Sequence, residues 1–194
     1  MNHSNSGSFA ATDFEQAFKM LNNELLKINE SLKLICAGGF VLQLNGYRGT
    51  ADIDAFYRSN AAIDNAIRKV GDVLGINKPD ELWLNNSIAN MNQVPQDRYC
   101  VVVYELSKLT VMAVEMDYLI GMKLFSARGQ DLKDVADILR NNADLQPFDL
   151  LAKLVDMSFD IDISILLDAF ESARGMEWLD AFYRKNEGEL RKYF

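Results

Sequence analysis

Histidine is almost missing from this chain: its one copy, His3, lies near the first residue. Cysteine is scarce as well, with two copies, Cys36 and Cys100, neither in a Cys-x-x-Cys arrangement. Together these absences exclude most zinc sites, Cys–His dyads and Ser–His–Asp triads. Any chemistry must therefore rest on carboxylates, hydroxyls, lysine and arginine. No apolar run, the one around Val101–Tyr104 included, approaches the roughly 20 residues of a membrane helix. Positive charge is in deficit, with 20 Lys and Arg against 28 Asp and Glu. That balance argues against a broad basic face for duplex DNA, while leaving room for a local basic groove for a nucleotide or an RNA end. Met1–Ala11 is polar, rich in Ser and Asn, and lacks a charged-then-apolar secretory pattern. It reads as a disordered tail of a cytosolic protein, and in that setting the two cysteines are expected as buried free thiols.

What is present is an ordinary globular composition, 49% hydrophobic and 25% charged over 194 residues. This is enough for one well-cored domain or for a core domain with a helical extension. Phe14, Phe18, Leu21, Leu25 and Ile28 fall at helical spacing, which predicts a helix over Thr12–Asn29 with Thr12 as N-cap. Leu32–Cys36 reads as a buried strand ending at Gly38-Gly39. Phe40–Leu44 then reads as a helix stopped by Gly46. Ala51–Tyr57 alternates, with Ile53, Ala55 and Tyr57 on one face and Asp52, Asp54 and Phe56 on the other, and predicts a second strand. Ile63, Ile67, Val70 and Leu74 mark a helix over Ala61–Leu74, ended by Gly75. Asp80–Met91 reads as helix plus loop. Tyr99–Glu105 and Leu109–Val114 predict an antiparallel hairpin turning at Ser107-Lys108. From Glu115 the pattern is helical, with candidates at Glu115–Ala127, Leu132–Asn141, Phe148–Met157, Ser164–Ser172 and Met176–Asn186. The expected organisation is a tail (1–11), an α/β core (12–114) and a helical C-terminal region (115–194).

The segment Gly38 to Asp54 carries the chemistry. Carboxylates at i and i+2 of a strand share a face about 7 Å apart. Ionised together, they repel by on the order of 2 kcal/mol at an effective dielectric of about 20. A covered face does not keep such a pair without a cation, and hard oxygens of this kind suit Mg²⁺, which retains waters and bridges to substrate phosphates. Upstream, Gly38-Gly39 follows a strand and opens a helix, where backbone N–H groups can approach a phosphate. Arg48 and Thr50 lie just before the carboxylates and could hold phosphate oxygens or fix the loop. A phosphate cradle beside a metal-binding pair points to phosphoryl or nucleotidyl transfer. Taken singly, each feature has a plain alternative: a turn, a solvated edge face, a surface arginine.

Gly38-Gly39 followed by Arg48-x-Thr50-x-Asp52-Ile53-Asp54 resembles the signature of the polymerase-β-like nucleotidyltransferase superfamily. The Arg-x-Thr-x-Asp-Ile-Asp form is similar to its minimal prokaryotic branch, which includes nucleotidyltransferases of toxin–antitoxin and abortive-infection systems. Trp83-Leu84-Asn85 resembles a Trp-Leu-Asn of that branch. Lys123-Leu124-x-x-x-Arg128 with Lys133-Asp134-x-x-Asp137-Ile138 resembles its paired helices. The resemblance spans Leu32 to Leu139. It implies an α/β (α+β) fold, a small mixed sheet with flanking helices, followed by a helical region. It further implies that Gly38 and Gly39 cradle a nucleoside triphosphate, with Arg48, Thr50 and Arg128 also on the nucleotide, and that Asp52 and Asp54 bind Mg²⁺. Lys123 would reach the triphosphate or brace the carboxylates. Asp134 and Asp137 would line the cleft mouth or orient Lys123 and Arg128, or else be solvated helix charges. The superfamily's third carboxylate has no counterpart in Leu109–Val114; Glu105 is the nearest candidate and Glu115 the next.

The implied activity is Mg²⁺-dependent transfer of a nucleotidyl group from a nucleoside triphosphate to a hydroxyl on RNA, such as tRNA, or on protein. A toxin-type role with a cognate antitoxin follows from the branch alone. The missing third acid and the negative charge favour a second reading, a nucleotidyltransferase fold that binds nucleotide or a protein partner without turnover. A third is a helical interaction protein with Asp52 and Asp54 merely exposed.

Overall fold

The computed structural model describes residues 11–90 and 94–194. The chain divides into two compact units, one through Glu115 and one from Met116 onward. The first contains helices α1 (Ala11–Ile28), α2 (Gly38–Leu44) and α3 (Ala61–Leu74) and strands β1 (Leu32–Cys36), β2 (Ile53–Phe56), β3 (Leu84–Asn85), β4 (Cys100–Glu105) and β5 (Leu109–Val114). The expected tail lies outside the described residues apart from Ala11, which already belongs to α1, and Thr12 stands inside that helix rather than at its cap.

The strands form a mixed sheet of order β3-β2-β1-β5-β4. β1 is parallel to β5 and antiparallel to β2, β2 is parallel to β3, and β4–β5 is the expected antiparallel hairpin. Alternation along the strands sends Leu34, Cys36, Ile53, Ala55 and Val111 into one core with Phe14, Phe18, Leu21 and Leu25 of α1 and Ile63, Ile67 and Val70 of α3. α3 is held at both ends, the Gly75 stop being the one its sequence predicts. The Asn60 side chain accepts from the N–H groups of Ala62 and Ile63, and Gly75 closes the helix at φ 66°. The opposite parity, with Lys33, Ile35, Asp54 and Phe56, faces the other side of the sheet.

Residues 80–91 differ from the expected helix plus loop. Lys78 and Glu81 form a β-bridge, Leu84 and Asn85 pair with Ile53 and Asp54, and a 3₁₀ turn covers Ser87–Asn90; residue 91 lies outside the described residues. Tertiary pairing overrides local propensity here: the Ile53 N–H donates to the Trp83 carbonyl at 2.7 Å, and the buried Trp83 indole donates to the Ile67 carbonyl at 2.9 Å.

Both cysteines are free. Cys36 is fully buried, and burial pushes its thiol far up. Cys100 is only half-buried, contrary to expectation, because β4 is an edge strand; burial raises its thiol to about 11.

The second unit is helical: α4 (Met116–Ser126), α5 (Gly129–Asn141), α6 (Pro147–Asp156), α7 (Ile163–Arg174) and α8 (Met176–Leu190). Its buried side chains include Leu119, Val135, Leu139, Leu150, Leu154, Leu166 and Phe170. α5 begins three residues before the predicted Leu132, since its first turn is polar and carries no apolar period. Ala127 at φ 50° makes the bend between α4 and α5. Among the described residues no helix is long and apolar enough to cross a membrane.

Candidate functional site

At the end of β1 the chain turns sharply into α2 through Gly38, whose φ of 60° favours glycine. β2 returns alongside, and the Ala37 N–H donates to the Asp54 carbonyl at 2.9 Å. This brings the glycine pair against the segment that precedes and opens β2. A Cβ on Gly38 would lie 2.9 Å from Asp54 Oδ2, and one on Gly39 would lie 2.5 Å from Thr50 Oγ1 and 3.6 Å from an Arg48 guanidinium nitrogen. The glycines thus do more than turn the chain. They make room for the carboxylate, hydroxyl and guanidinium that the sequence marks as functional.

Thr50 is buried and fixes the approach to the acids. Its backbone N–H donates to Gln43 Oε1 at 2.8 Å, and its hydroxyl donates to the Asp52 carbonyl at 3.1 Å and to Asp52 Oδ1 at 3.2 Å. Asp52 lies just before β2, and its Oδ2 meets Lys78 Nζ at 2.8 Å. Lys78 also reaches Glu81 Oε2 at 2.7 Å, and hydrogen bonds to Asp52 and then Glu81 raise the lysine above its ordinary value. Asp54, on β2, accepts on Oδ1 from the Ser87 hydroxyl at 2.8 Å. Its cross-strand partner Asn85 keeps a buried Nδ2 with no hydrogen-bond partner among the described residues.

Each carboxylate therefore has one oxygen oriented by a neutral hydroxyl, Thr50 on Asp52 and Ser87 on Asp54. Hydroxyls in this position steer a ligand oxygen without competing for charge. A cleft of about 600 Å³ opens further along the same strands, with Lys33, Ile35, Phe56, Arg58 and Asn86 in its lining. Phe56 follows Asp54 on the same parity of β2, and Asn86 precedes Ser87, so the cleft shares two segments with the acidic pair.

Glu105 is not brought to this place. It pairs with Thr110, and Thr110 with Lys33, whereas Asp54 lies past Cys36 and Ala113 at the other end of the sheet. Strand rise and spacing separate Glu105 from Asp54 by roughly 20 Å. Glu115 emerges at the correct end of β5, exposed, with its N–H on the Tyr99 carbonyl.

The other predicted residues form a cluster within the helical unit. Lys123 is buried, its Nζ 2.9 Å from Asp131 Oδ1 and 2.7 Å from Asp134 Oδ2. Arg128 Nε donates to Asp131 Oδ2 at 2.7 Å, Ser126 adds a bond at 2.9 Å, and Gln130 holds Asp134 Oδ1 at 2.9 Å. Burial pushes the Asp131 carboxyl up, but the bonds from Arg128, Lys123 and Ser126 outweigh it and leave the group below its ordinary value. The Lys123 ammonium is thus held by two carboxylates inside its own unit. Asp134 orients Lys123 as expected, whereas Asp137 does not; it pairs with exposed Arg140.

Three participants escaped sequence reasoning. Lys78 and Ser87 lie 26 and 33 residues from their acids, with no local signal linking them. Asp131 did carry one, its i,i+3 spacing from Arg128 at a helix start.

No match was found among curated proteins or solved structures. A family model described as nucleotidyltransferase of unknown function (DUF6036) matches residues 12–176. That span takes in the glycine bend, both aspartates and the Lys123 cluster, and the chain belongs to this nucleotidyltransferase family.

Proposed function

We propose that the protein is a Mg²⁺-dependent nucleotidyltransferase acting on a nucleoside triphosphate and a hydroxyl acceptor on RNA or protein. The observation that carries this reading is the seat of Asp54 Oδ2 against Gly38, beside hydroxyl-oriented Asp52. Among the described residues no third His, Cys, Asp or Glu completes a protein-only metal cage. A two-carboxylate site suits Mg²⁺, which is held through one or two carboxylates and completed by waters and substrate phosphates. Asp52 and Asp54 would hold the ion, which when bound would stabilise charge developing on the α-phosphate.

The chain's own residues supply position. Gly38 and Gly39 let Asp54 and Thr50 close in on the bend, and Arg48 stands beside them as a cation for the phosphates. The acceptor oxygen attacks the α-phosphorus, the bond to the bridging oxygen breaks and pyrophosphate leaves. With Glu105 at the far end of the sheet and Glu115 two strands away from β2, the hydroxyl proton passes to solvent. Lys123 and Arg128 act in this reading by bracing α4 and α5. The toxin-type role, a tRNA acceptor and a cognate antitoxin rest on the Arg-x-Thr-x-Asp-Ile-Asp resemblance, and a cytosolic setting on the polar composition of Met1–Ala11.

The remoteness of Glu105 favours a second reading, a nucleotide-binding module without turnover. Incubation with each α-labelled nucleoside triphosphate, Mg²⁺, and total RNA or protein separates the two. The enzyme transfers label, and Asp54→Ala abolishes it. Nucleotide binding with no transfer from any of the four supports the module and overturns the enzyme.

A further inference from the structure

Lys78, like Ser87, reaches the acidic pair with no motif to announce it, and its setting is unusual for a surface lysine. Its backbone is fixed on both sides. Lys78 and Glu81 exchange backbone bonds at 2.9 and 3.4 Å. The preceding Asn77 side chain bonds the Arg68 carbonyl at 2.9 Å and Asp72 Oδ1 at 2.8 Å, and accepts from the Trp83 N–H at 3.2 Å. Trp83 in turn is tied to β2 through Ile53. The side chain, by contrast, is 45% exposed and can swing. A rigid base with a movable head places an ammonium at Asp52 without locking it there.

That ammonium sits on the oxygen a metal would need. Asp52 Oδ1 takes the Thr50 hydroxyl, and Oδ2, 2.8 Å from Nζ, takes Lys78. A divalent cation on Oδ2 must displace this lysine or share the oxygen with it. Once displaced, Lys78 stays tethered within side-chain reach of the ion's other ligands, which in this site are phosphate oxygens.

We infer that Lys78 is an exchangeable counter-ion: it neutralises Asp52 before the metal arrives and turns to the triphosphate of the bound nucleotide afterwards. The inference rests on Asp52 being a metal ligand. It gives the site an ordered preference, weak for the free ion and strong for the metal–nucleotide pair, because only the pair offers the released ammonium an anion beyond Glu81, which it already holds at 2.7 Å. Lys is suited to this, being a compact point charge on a flexible stem.

The test titrates Mn²⁺ into the full chain by electron paramagnetic resonance, with and without a non-hydrolysable nucleoside triphosphate. An ion pair this exposed is weak, so Lys78→Met is expected to tighten free Mn²⁺ about two- to fivefold. The same variant is expected to weaken the Mn²⁺–nucleotide complex roughly tenfold, the worth of one charge-assisted phosphate contact. Lys78→Arg, which keeps the charge, is expected to recover nucleotide affinity in part. A merely structural ion pair would move neither affinity in these opposite senses, and unchanged or parallel shifts overturn the inference. Asp52→Asn serves as the reference. If it leaves Mn²⁺ binding at wild-type strength, the metal seat is wrong and the role of Lys78 falls with it. If it abolishes binding while Lys78→Met changes nothing, the metal seat stands and Lys78 alone is excluded.

Discussion

Gly38 and Asp54 are built against each other: a methyl group on the glycine would stand 2.9 Å from the carboxylate oxygen Oδ2. Gly38→Ala therefore meets two penalties, a positive φ and a collision with a charged group that Ser87 holds in place. The expected loss is about 1–3 kcal/mol of stability, with a measurable fall in divalent-ion affinity. Urea unfolding and Mn²⁺ titration check it; wild-type values in both would dissolve the relationship.

Gly71 of α3 stands in the same relation to Asn77. A Cβ there would lie 2.0 Å from Asn77 Oδ1, the atom that accepts from Trp83 N–H. Gly71→Ala must push Asn77 out of its three bonds, at an expected cost of about 1–3 kcal/mol. Amide exchange at Trp83 is expected to speed up in the variant, and an unchanged rate would mean that the loop is held otherwise.

Removing Lys123 leaves Asp131 and Asp134 facing each other in a buried setting. Lys123→Met is expected to destabilise the chain by about 3–5 kcal/mol. Adding Asp131→Asn and Asp134→Asn is expected to restore most of that, because the buried members of the cluster are then neutral and the remaining charge, on Arg128, is exposed. A triple variant as unstable as the single one would show that packing, not charge, dominates.

The Asp131 carboxyl lies below its ordinary value of 3.8. A group depressed on folding contributes stability that is complete above its unfolded value and is lost as the pH falls through the folded one. Acid titration of wild type is thus expected to show a loss below about pH 4. Asp131→Asn, less stable at neutral pH, is expected to have a shallower acid limb; parallel limbs would remove Asp131 from the linkage.

Much of the fold was legible because its signals are local. The period of Ile63, Ile67 and Val70, the stop at Gly75 and the β4–β5 hairpin each depend on neighbours in the chain. β3 was not legible, since two residues are too few to show alternation and their strand character comes from pairing with Ile53 and Asp54. The insertion of β5 between β1 and β4 is likewise a long-range matter. The site divides along the same line. Gly38, Thr50, Asp52 and Asp54 lie on one short segment and were visible together, while Lys78 and Ser87 arrive from other loops. Glu105 was misplaced because a strand's sequence does not say which of its ends lies beside a neighbour's functional end.

In the function proposed, Asp52 and Asp54 together seat a divalent cation that carries a nucleotide. Thermal unfolding of wild type and Asp54→Asn with Mg²⁺ plus a non-hydrolysable nucleoside triphosphate tests it most directly, since a ligand of the folded state raises its stability. The prediction is a rise in melting temperature for wild type that needs both components and disappears in Asp54→Asn. Equal shifts in the two proteins, or none in wild type at saturating ligand, would contradict it.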